Sequence, residues 1–561
     1  MELPDLIAAL SDRRAYDHPV DDFRVIQTHI SVVFLAGEFV YKVKKPVDLG
    51  FLDFGSLDKR EHFCHEEVRL NRRLAADVYL GVVPIVRTAT GVRFDLAHAS
   101  PDGPPADGAD TAGGETVDAP AGGAAVPAAP APVEWAVRMR RLPEELTLES
   151  WVAEGAIRPY HIAVLGRRLA RFHARAARGD EIARWGRFEV VAGNARENLD
   201  QSRARFEGGP LAPELLGRLS SALERELDRL QGRIERRAAA GVPVDTHGDL
   251  HLDHVYVFPD RDPPDDLVII DCIEFNERFR YADPVADVAF LEMDLRYHGR
   301  EDLARVLADA YFEAADDPEG RTLLPFYGAY RAAVRAKVSG MRAAEKEVPD
   351  TERAADVESE RAHWLLALGL LEPPVRRPGL VLIGGLPGTG KSTLAGSLAE
   401  RAGFEVLSSD VTRKELAGLS ADASAADAFG AGVYAPEWND RTYRELLERA
   451  RDRLLRGERV IVDASFREDG RRKAFLDLAT RYRVPARFLV LEAPVERVRR
   501  RIERRLAGPS DADVDIYEAA RARWEPPSAA TAPAMRHVDT GQSHAWSIEQ
   551  SVVHLEEAGL L

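Results

Sequence analysis

Apolar residues fall along this chain in two different rhythms, and the change from one to the other divides it. HISVVFLAG (29–37) and EFVYKVKKP (38–46) are short β-like runs, and the charged amphipathic stretch KREHFCHEEVRLNRRLAADV that follows has helical spacing. EWAVRMRRLP (134–143) predicts a further strand. From there to about residue 240 the spacing is mostly helical: in HIAVLGRRLARFHARAA, residues Val164, Leu165, Leu169 and Phe172 share one helix face. DLVIIDCIEF (266–275) reads as a buried strand, with helices after it to residue 371. The expected shape is a small β-rich lobe followed by a larger helical lobe. Beyond residue 378 the apolar runs LVLIGG, EVLSSD, RVIVDAS and RFLVLEA each precede a helical stretch. That alternation predicts an α/β domain with a parallel sheet covered by helices.

Two interruptions punctuate the pattern. Residues 100–132 are almost free of large apolar side chains. They cannot bury enough surface to offset their ordering entropy, and are expected to be a disordered insertion. EPPVRRP (372–378) is a proline-rich linker between the two rhythms. The expected organisation is one domain over 1–371, a linker over 372–378 and a second domain over 379–561, in keeping with a length of 561 residues. A net charge of −17 argues against a general nucleic-acid binder, without excluding a local site for an anion. The two cysteines, Cys64 and Cys272, stand far apart in no metal-binding spacing, which fits a reducing compartment. The N-terminus lacks a basic region followed by an apolar core, and no apolar run approaches bilayer length, so a cytoplasmic chain is expected.

GLPGTGKS (385–392) matches G-x-x-x-x-G-K-[ST] between a buried strand and a helix start. Gly385, Gly388 and Gly390 permit a tight loop whose amides, with those of Thr389 and Thr393, turn toward phosphate oxygens at the helix N-terminus. Lys391 adds a point charge for the β- and γ-phosphates, and Ser392 is a Mg²⁺ ligand candidate. Asp463, ending RVIVD, is the candidate carboxylate for the same ion. Six arginines between 497 and 505 surround an apolar stripe of Val498, Ile502 and Leu506. They read as a solvated helix, as a lid that brings Arg501 and its neighbours over phosphates, or as a nucleic-acid contact. This segment resembles the small P-loop kinases, among them gluconate and shikimate kinases, chloramphenicol phosphotransferase, zeta-toxin-like enzymes and polynucleotide kinases. The resemblance implies that Asp410, read as the end of the second strand, contacts the acceptor hydroxyl, with Arg413 as a substrate clamp.

THGDLHLDHVYVF (246–258) carries a second set of parts. Asp249 is placed to accept the proton of an acceptor hydroxyl, and Asp271 ends VIID where a metal-binding carboxylate would project. Lys42 in VYKVKK is the candidate phosphate-pairing lysine, and Glu67 on the next helix its ion-pair partner. Together these resemble the aminoglycoside phosphotransferase family, of kinase-like two-lobed fold. The resemblance implies that WAVRMRRLP is the hinge strand, with the backbone near Met139 and Arg140 facing adenine, and that Asp287 in DPVADVA is structural. The departure is His254, which stands where the family has asparagine. An imidazole is a borderline ligand rather than a hard one. Either His254 holds a different ion, or Asp253 replaces the lost oxygen, or the second metal site is weakened.

The two resemblances imply an ATP- or GTP-dependent phosphotransferase with Mg²⁺, two nucleotide sites and small-molecule hydroxyl acceptors such as a sugar, polyol or aminocyclitol. A nucleotide-sensing protein whose first half binds without chemistry is the alternative, and a polynucleotide kinase a weaker one.

Overall fold

The computed structural model describes residues 1–50, 52–89, 91–100, 130–263, 266–345, 348–419, 435–503 and 514–561; most of the expected insertion, 101–129, falls outside them. By packing, the chain divides into two compact units. One comprises Met1–Arg187, Glu235–Glu292 and Asp302–Arg321, and the other Phe188–Ile234, Met293–Glu301 and Thr322–Leu561.

The first unit carries an antiparallel sheet of strands β1 (Phe23–Gln27), β2 (Ser31–Ala36), β3 (Phe39–Lys44), β4 (Tyr79–Thr88), β5 (Gly91–Phe94) and β6 (Pro132–Arg140), in the order β1-β2-β3-β6-β4-β5. Gly37 turns the β2–β3 hairpin at φ 58°, where a Cβ would lie 2.9 Å from the Pro19 carbonyl oxygen. Side chains alternate along β3. Tyr41 and Val43 enter a core with Leu6, Leu10, Phe34 and Phe94, while Val40 packs on the other face with Cys64, Val68 and Val137. Lys42 and Lys44 share the parity of Val40, and therefore face the helix Leu57–Ala75. Ser56 caps that helix by accepting from the Lys59 amide at 3.2 Å. Its buried stripe runs Cys64, Glu67, Val68, Asn71 and Leu74, so Glu67 is a carboxylate set inside an apolar face.

Two short antiparallel ladders frame the loops that follow: β7 (Val244–Asp245) with β10 (Tyr281–Ala282), and β8 (Val255–Val257) with β9 (Leu267–Ile269). The buried strand read over 266–275 is shorter than its apolar run. After Ile269 the chain leaves the ladder, and Asp271 takes φ 64°, a left-handed conformation that interrupts strand pairing.

The second unit holds a five-stranded parallel sheet in the order β12-β13-β11-β14-β15, of β11 (Gly379–Gly385), β12 (Glu405–Ser408), β13 (Arg459–Asp463), β14 (Ala486–Glu492) and β15 (Met535–Asp539). Every residue of the central strand β11 is buried, which accounts for its unbroken apolar sequence. The long helices Phe188–Phe206, Leu324–Ala344 and Asp350–Leu371 belong to this same unit, as does the proline-rich segment 372–378. No helix among the described residues is long and apolar enough to cross a membrane.

Candidate active sites

In the first unit β3 and the helix Leu57–Ala75 bring their charges together. Lys42 Nζ lies 2.9 Å from Glu67 and 2.7 Å from Asp271 Oδ1. Lys44 Nζ lies 2.7 Å from the other Glu67 oxygen and also binds Glu274. Burial opposes the charge on Lys42, but Asp271 and then Glu67 more than offset it, so its ammonium is held well above its ordinary range. Burial likewise opposes ionisation of Asp271, and Lys42 followed by His254 outweighs it, keeping the carboxyl well below the usual value. The Asp271 amide donates to Tyr79 Oη at 3.2 Å, and the Cys272 amide to Asn71 Oδ1 at 2.8 Å, which fixes the turn carrying Asp271.

Asp249 lies on the loop between β7 and β8. Asp287, at the start of the helix Val285–Tyr297, accepts from the amides of His247 at 2.7 Å and Gly248 at 2.9 Å. His173 stands 3.1 Å from the same carboxylate and contacts Tyr311 Oη at 2.9 Å. Asp287 thus pins the loop by its backbone and leaves the Asp249 side chain, 38% exposed, at the surface of the site. His254 Nε2 lies 3.6 Å from Asp271 Oδ2, and His251 Nε2 3.5 Å from Asp249 Oδ2. Asp253 is turned to His251 Nδ1 instead.

The strand expected to face adenine is β6, which ends at Arg140. The amide of Arg140 donates to the Val78 carbonyl and that of Arg141 to Glu38, at 2.8 and 2.9 Å. Both donors are taken up by carbonyls of the chain itself, and the Met139 side chain is buried in the core.

In the second unit the loop after β11 leads into the helix Lys391–Ala402. Gly385, Gly388 and Gly390 all have positive φ, and a Cβ at Gly385 would lie 2.7 Å from the Leu491 carbonyl oxygen. Lys391 Nζ donates to the Leu386 carbonyl at 3.1 Å, curled over the loop it would share with phosphates. Ser392 Oγ donates to Asp463 Oδ2 at 2.6 Å, so β13 and the helix place two hard oxygens side by side. These fit Mg²⁺. Arg501 comes from the helix Val495–Glu503 onto the same loop, donating to the Thr389 carbonyl at 3.3 Å and the Thr540 carbonyl at 2.7 Å. Gly388, Thr389, Thr393, Arg501, Thr540 and His544 line a cavity of about 330 Å³ there.

Asp410 is not at a strand end. β12 stops at Ser408, and Asp410 occupies the first turn of the helix Ser409–Leu416, because the chain turns helical as soon as the sheet register is left. Its carboxylate accepts from Arg413 at 2.9 Å, and Arg413 also donates to Asn439 Oδ1 at 3.1 Å.

Several participants were missed from sequence. Lys44 could have been found from its two-residue spacing to Lys42 and His251 from its place in HGDLH, whereas Glu274 gave no local signal. Thr540 and His544 follow a strand too polar to be read as one. Cys64 and Cys272 are buried, and burial pushes each thiol up to about 12, so both are inert packing.

Residues 119–324 match the phosphotransferase enzyme family, and residues 380–527 match an AAA domain. The uncharacterized protein Rv2004c of Mycobacterium tuberculosis is 32% identical over 94% of this chain and 97% of its own. Mb2027c of Mycobacterium bovis gives the same values, 32%, 94% and 97%. Among solved structures, a gluconokinase from Sinorhizobium meliloti is similar at 19% identity over 32% of this chain and 94% of that one, with a TM-score of 0.24. The chain, with its phosphotransferase-family domain followed by a P-loop AAA domain, therefore belongs to the family of these mycobacterial proteins.

Proposed function

We propose that the two halves, residues 1–371 and 379–561, are each ATP-dependent phosphotransferases acting on hydroxyls of small molecules. The observation that carries the reading is that the same parts are assembled twice, each within one unit. Lys42 with Asp271 forms one set and Lys391 and Ser392 with Asp463 the other, and this reading adds Asp249 and Asp410 as the acceptor-side carboxylates. In each, the acceptor oxygen forms a bond to the terminal phosphorus while the bond to the bridging oxygen of the leaving ADP breaks. The hydroxyl proton passes to Asp249 or Asp410. Lys42 or Lys391 meets the phosphates, and Arg501 stands where charge spreads during transfer in the second half. Mg²⁺ held by Ser392 and Asp463 would neutralise phosphate charge. Arg413, fixed to Asp410, is positioned to orient the acceptor there.

The test is ATP turnover by the full chain against sugars, polyols and aminocyclitols, with Asp249→Asn, Asp410→Asn and Lys391→Ala as variants. We expect one activity to fall at least a hundredfold in Asp249→Asn and another in both Asp410→Asn and Lys391→Ala. The reading fails if no variant lowers any phosphorylation.

A second reading is favoured by His254: the first half binds nucleotide without chemistry and regulates the second. In that case Asp249→Asn leaves every phosphorylation unchanged, while Lys42→Met alters turnover at the P-loop site. Nucleic acid is disfavoured as acceptor because Arg497 and Arg501 are committed to backbone carbonyls of the chain itself.

A further inference from the structure

The donor set beside Asp249 does not match the Mg²⁺ that the kinase-like fold implies. His254 occupies the position of an amide-bearing side chain and presents nitrogen. Its tautomer follows from the structure. His254 Nδ1 lies 2.8 Å from the Asp249 backbone carbonyl, which can only accept, so Nδ1 carries the proton and Nε2 the lone pair. That lone pair faces Asp271 Oδ2 at 3.6 Å. The separation is too long for a hydrogen bond, and it suits two ligands about 2.0–2.2 Å from one ion. Asp271 is oriented for this use, because its other oxygen is held by Lys42 at 2.7 Å. The backbone fixes His254 in turn: its carbonyl accepts from the Ile270 amide at 3.0 Å, directly beside Asp271. Asp249 and His251 bring further oxygen and nitrogen donors, all within 4.8 Å of one another and of a His254 ring nitrogen. An imidazole whose second nitrogen donates to a backbone carbonyl is the usual arrangement of a metal-bound histidine.

We infer that His254 Nε2 and Asp271, with Asp249 and His251 closing the set, form a site for a borderline divalent cation of the Zn²⁺ or Co²⁺ class in preference to Mg²⁺. Mixed nitrogen and carboxylate donors favour such ions, whereas Mg²⁺ requires oxygen in near-octahedral array. The inference rests on the first half being a nucleotide site of the kinase-like kind, but the ion's identity is measured without nucleotide, which separates the two.

The experiment uses the full chain, free of nucleotide. Co²⁺ and Mg²⁺ are titrated by calorimetry, and bound Mn²⁺ is examined by electron spin echo for modulation from imidazole ¹⁴N. Expected are binding of Co²⁺ at least tenfold tighter than Mg²⁺ and a clear nitrogen signal. His254→Asn, which restores an amide oxygen, should lower the Co²⁺ preference at least tenfold while the protein stays folded, and Asp271→Asn should weaken every ion. A Ser392→Ala, Asp463→Ala double variant, which lacks the ion ligands of the second half, should still show the nitrogen modulation and the preference for Co²⁺. The inference is overturned if His254→Asn leaves the Co²⁺-to-Mg²⁺ ratio within twofold, if no nitrogen modulation is seen, or if the double variant abolishes binding. If the ion binds as expected but no phosphate is ever transferred, the functional reading fails and the metal site stands.

Discussion

At the scale of single residues, the two lysines of β3 illustrate how one spacing yields two roles. Lys44 is 1% exposed and is the cation between Glu67 and Glu274, both buried. Replacing it with methionine would leave buried Glu274 without its cation, beside a Glu67 paired only with Lys42, and breaking a buried pair costs about 3–5 kcal/mol. Lys42 is 16% exposed and opens toward Asp271, itself 42% exposed, so its loss leaves Glu67 still paired with Lys44. Lys44→Met should therefore lower the melting temperature of the chain markedly. Lys42→Met should change it little and weaken nucleotide binding instead. Thermal melts combined with ATP titration check this, and an equal loss of stability in both would refute the division. Lys42 and Asp271 stood out in the strand-like runs VYKVKK and VIID, and Glu67 by its place on the helix that follows the first, and the fold brings the three together. Glu274 did not stand out, because its partner is 230 positions away in sequence and only the fold makes them neighbours.

Elements were legible where burial imposed one rhythm. β11, β13 and β14 are covered on both faces and read as continuous apolar runs. β15, at the sheet edge, has only Val538 buried, so its sequence MRHVD gives no strand signal. β4 is interrupted by Gly81 and Pro84 and changes register twice. The helix Asp350–Leu371 was expected, but its acid sensitivity was not. His363 is buried there, its Nδ1 donates to the Ser359 carbonyl at 2.9 Å, and its ring stacks on Tyr297 at 3.9 Å. Among the described residues Nε2 meets no hydrogen-bond partner, so a second proton would be unsolvated. Burial, then Arg335, pushes the imidazole down to about 3. The folded state thus favours the neutral form. The stability this gives is complete above the unfolded value of about 6.5 and is lost as pH falls through the interval down to the folded value. At pH 5 the loss should reach about 2 kcal/mol. His363→Gln should remove that part of the slope, so urea unfolding of the two proteins should converge between pH 7 and 5. Parallel curves would show that His363 does not titrate on unfolding.

For the whole molecule, the proline-rich segment 372–378 marks a change of sequence rhythm, yet packing does not part there. Glu372 is 1% exposed, with Arg225 at 3.1 Å and Arg218 at 3.5 Å. Arg218 also donates to the carbonyls of Gly457 and Arg376. On the helix Asp350–Leu371, Glu358 accepts from Tyr482 Oη at 2.8 Å, and Leu368 lies so close to Gly457 that a Cβ there would be 2.8 Å away. Prolines report where a helix must stop, which is local information. Which helices a sheet domain gathers around itself depends on contacts between distant segments, and no local pattern carries them. A fragment of residues 379–561 therefore keeps its P-loop and loses its apolar cover. It should melt well below the full chain and bind a hydrophobic dye, whereas a fragment of residues 322–561, which retains both long helices, should recover part of the difference. If 379–561 melts at the same temperature as the corresponding step of the intact protein, the helices add nothing to the stability of the P-loop half. In that event the linker would be a boundary of packing as well as of pattern.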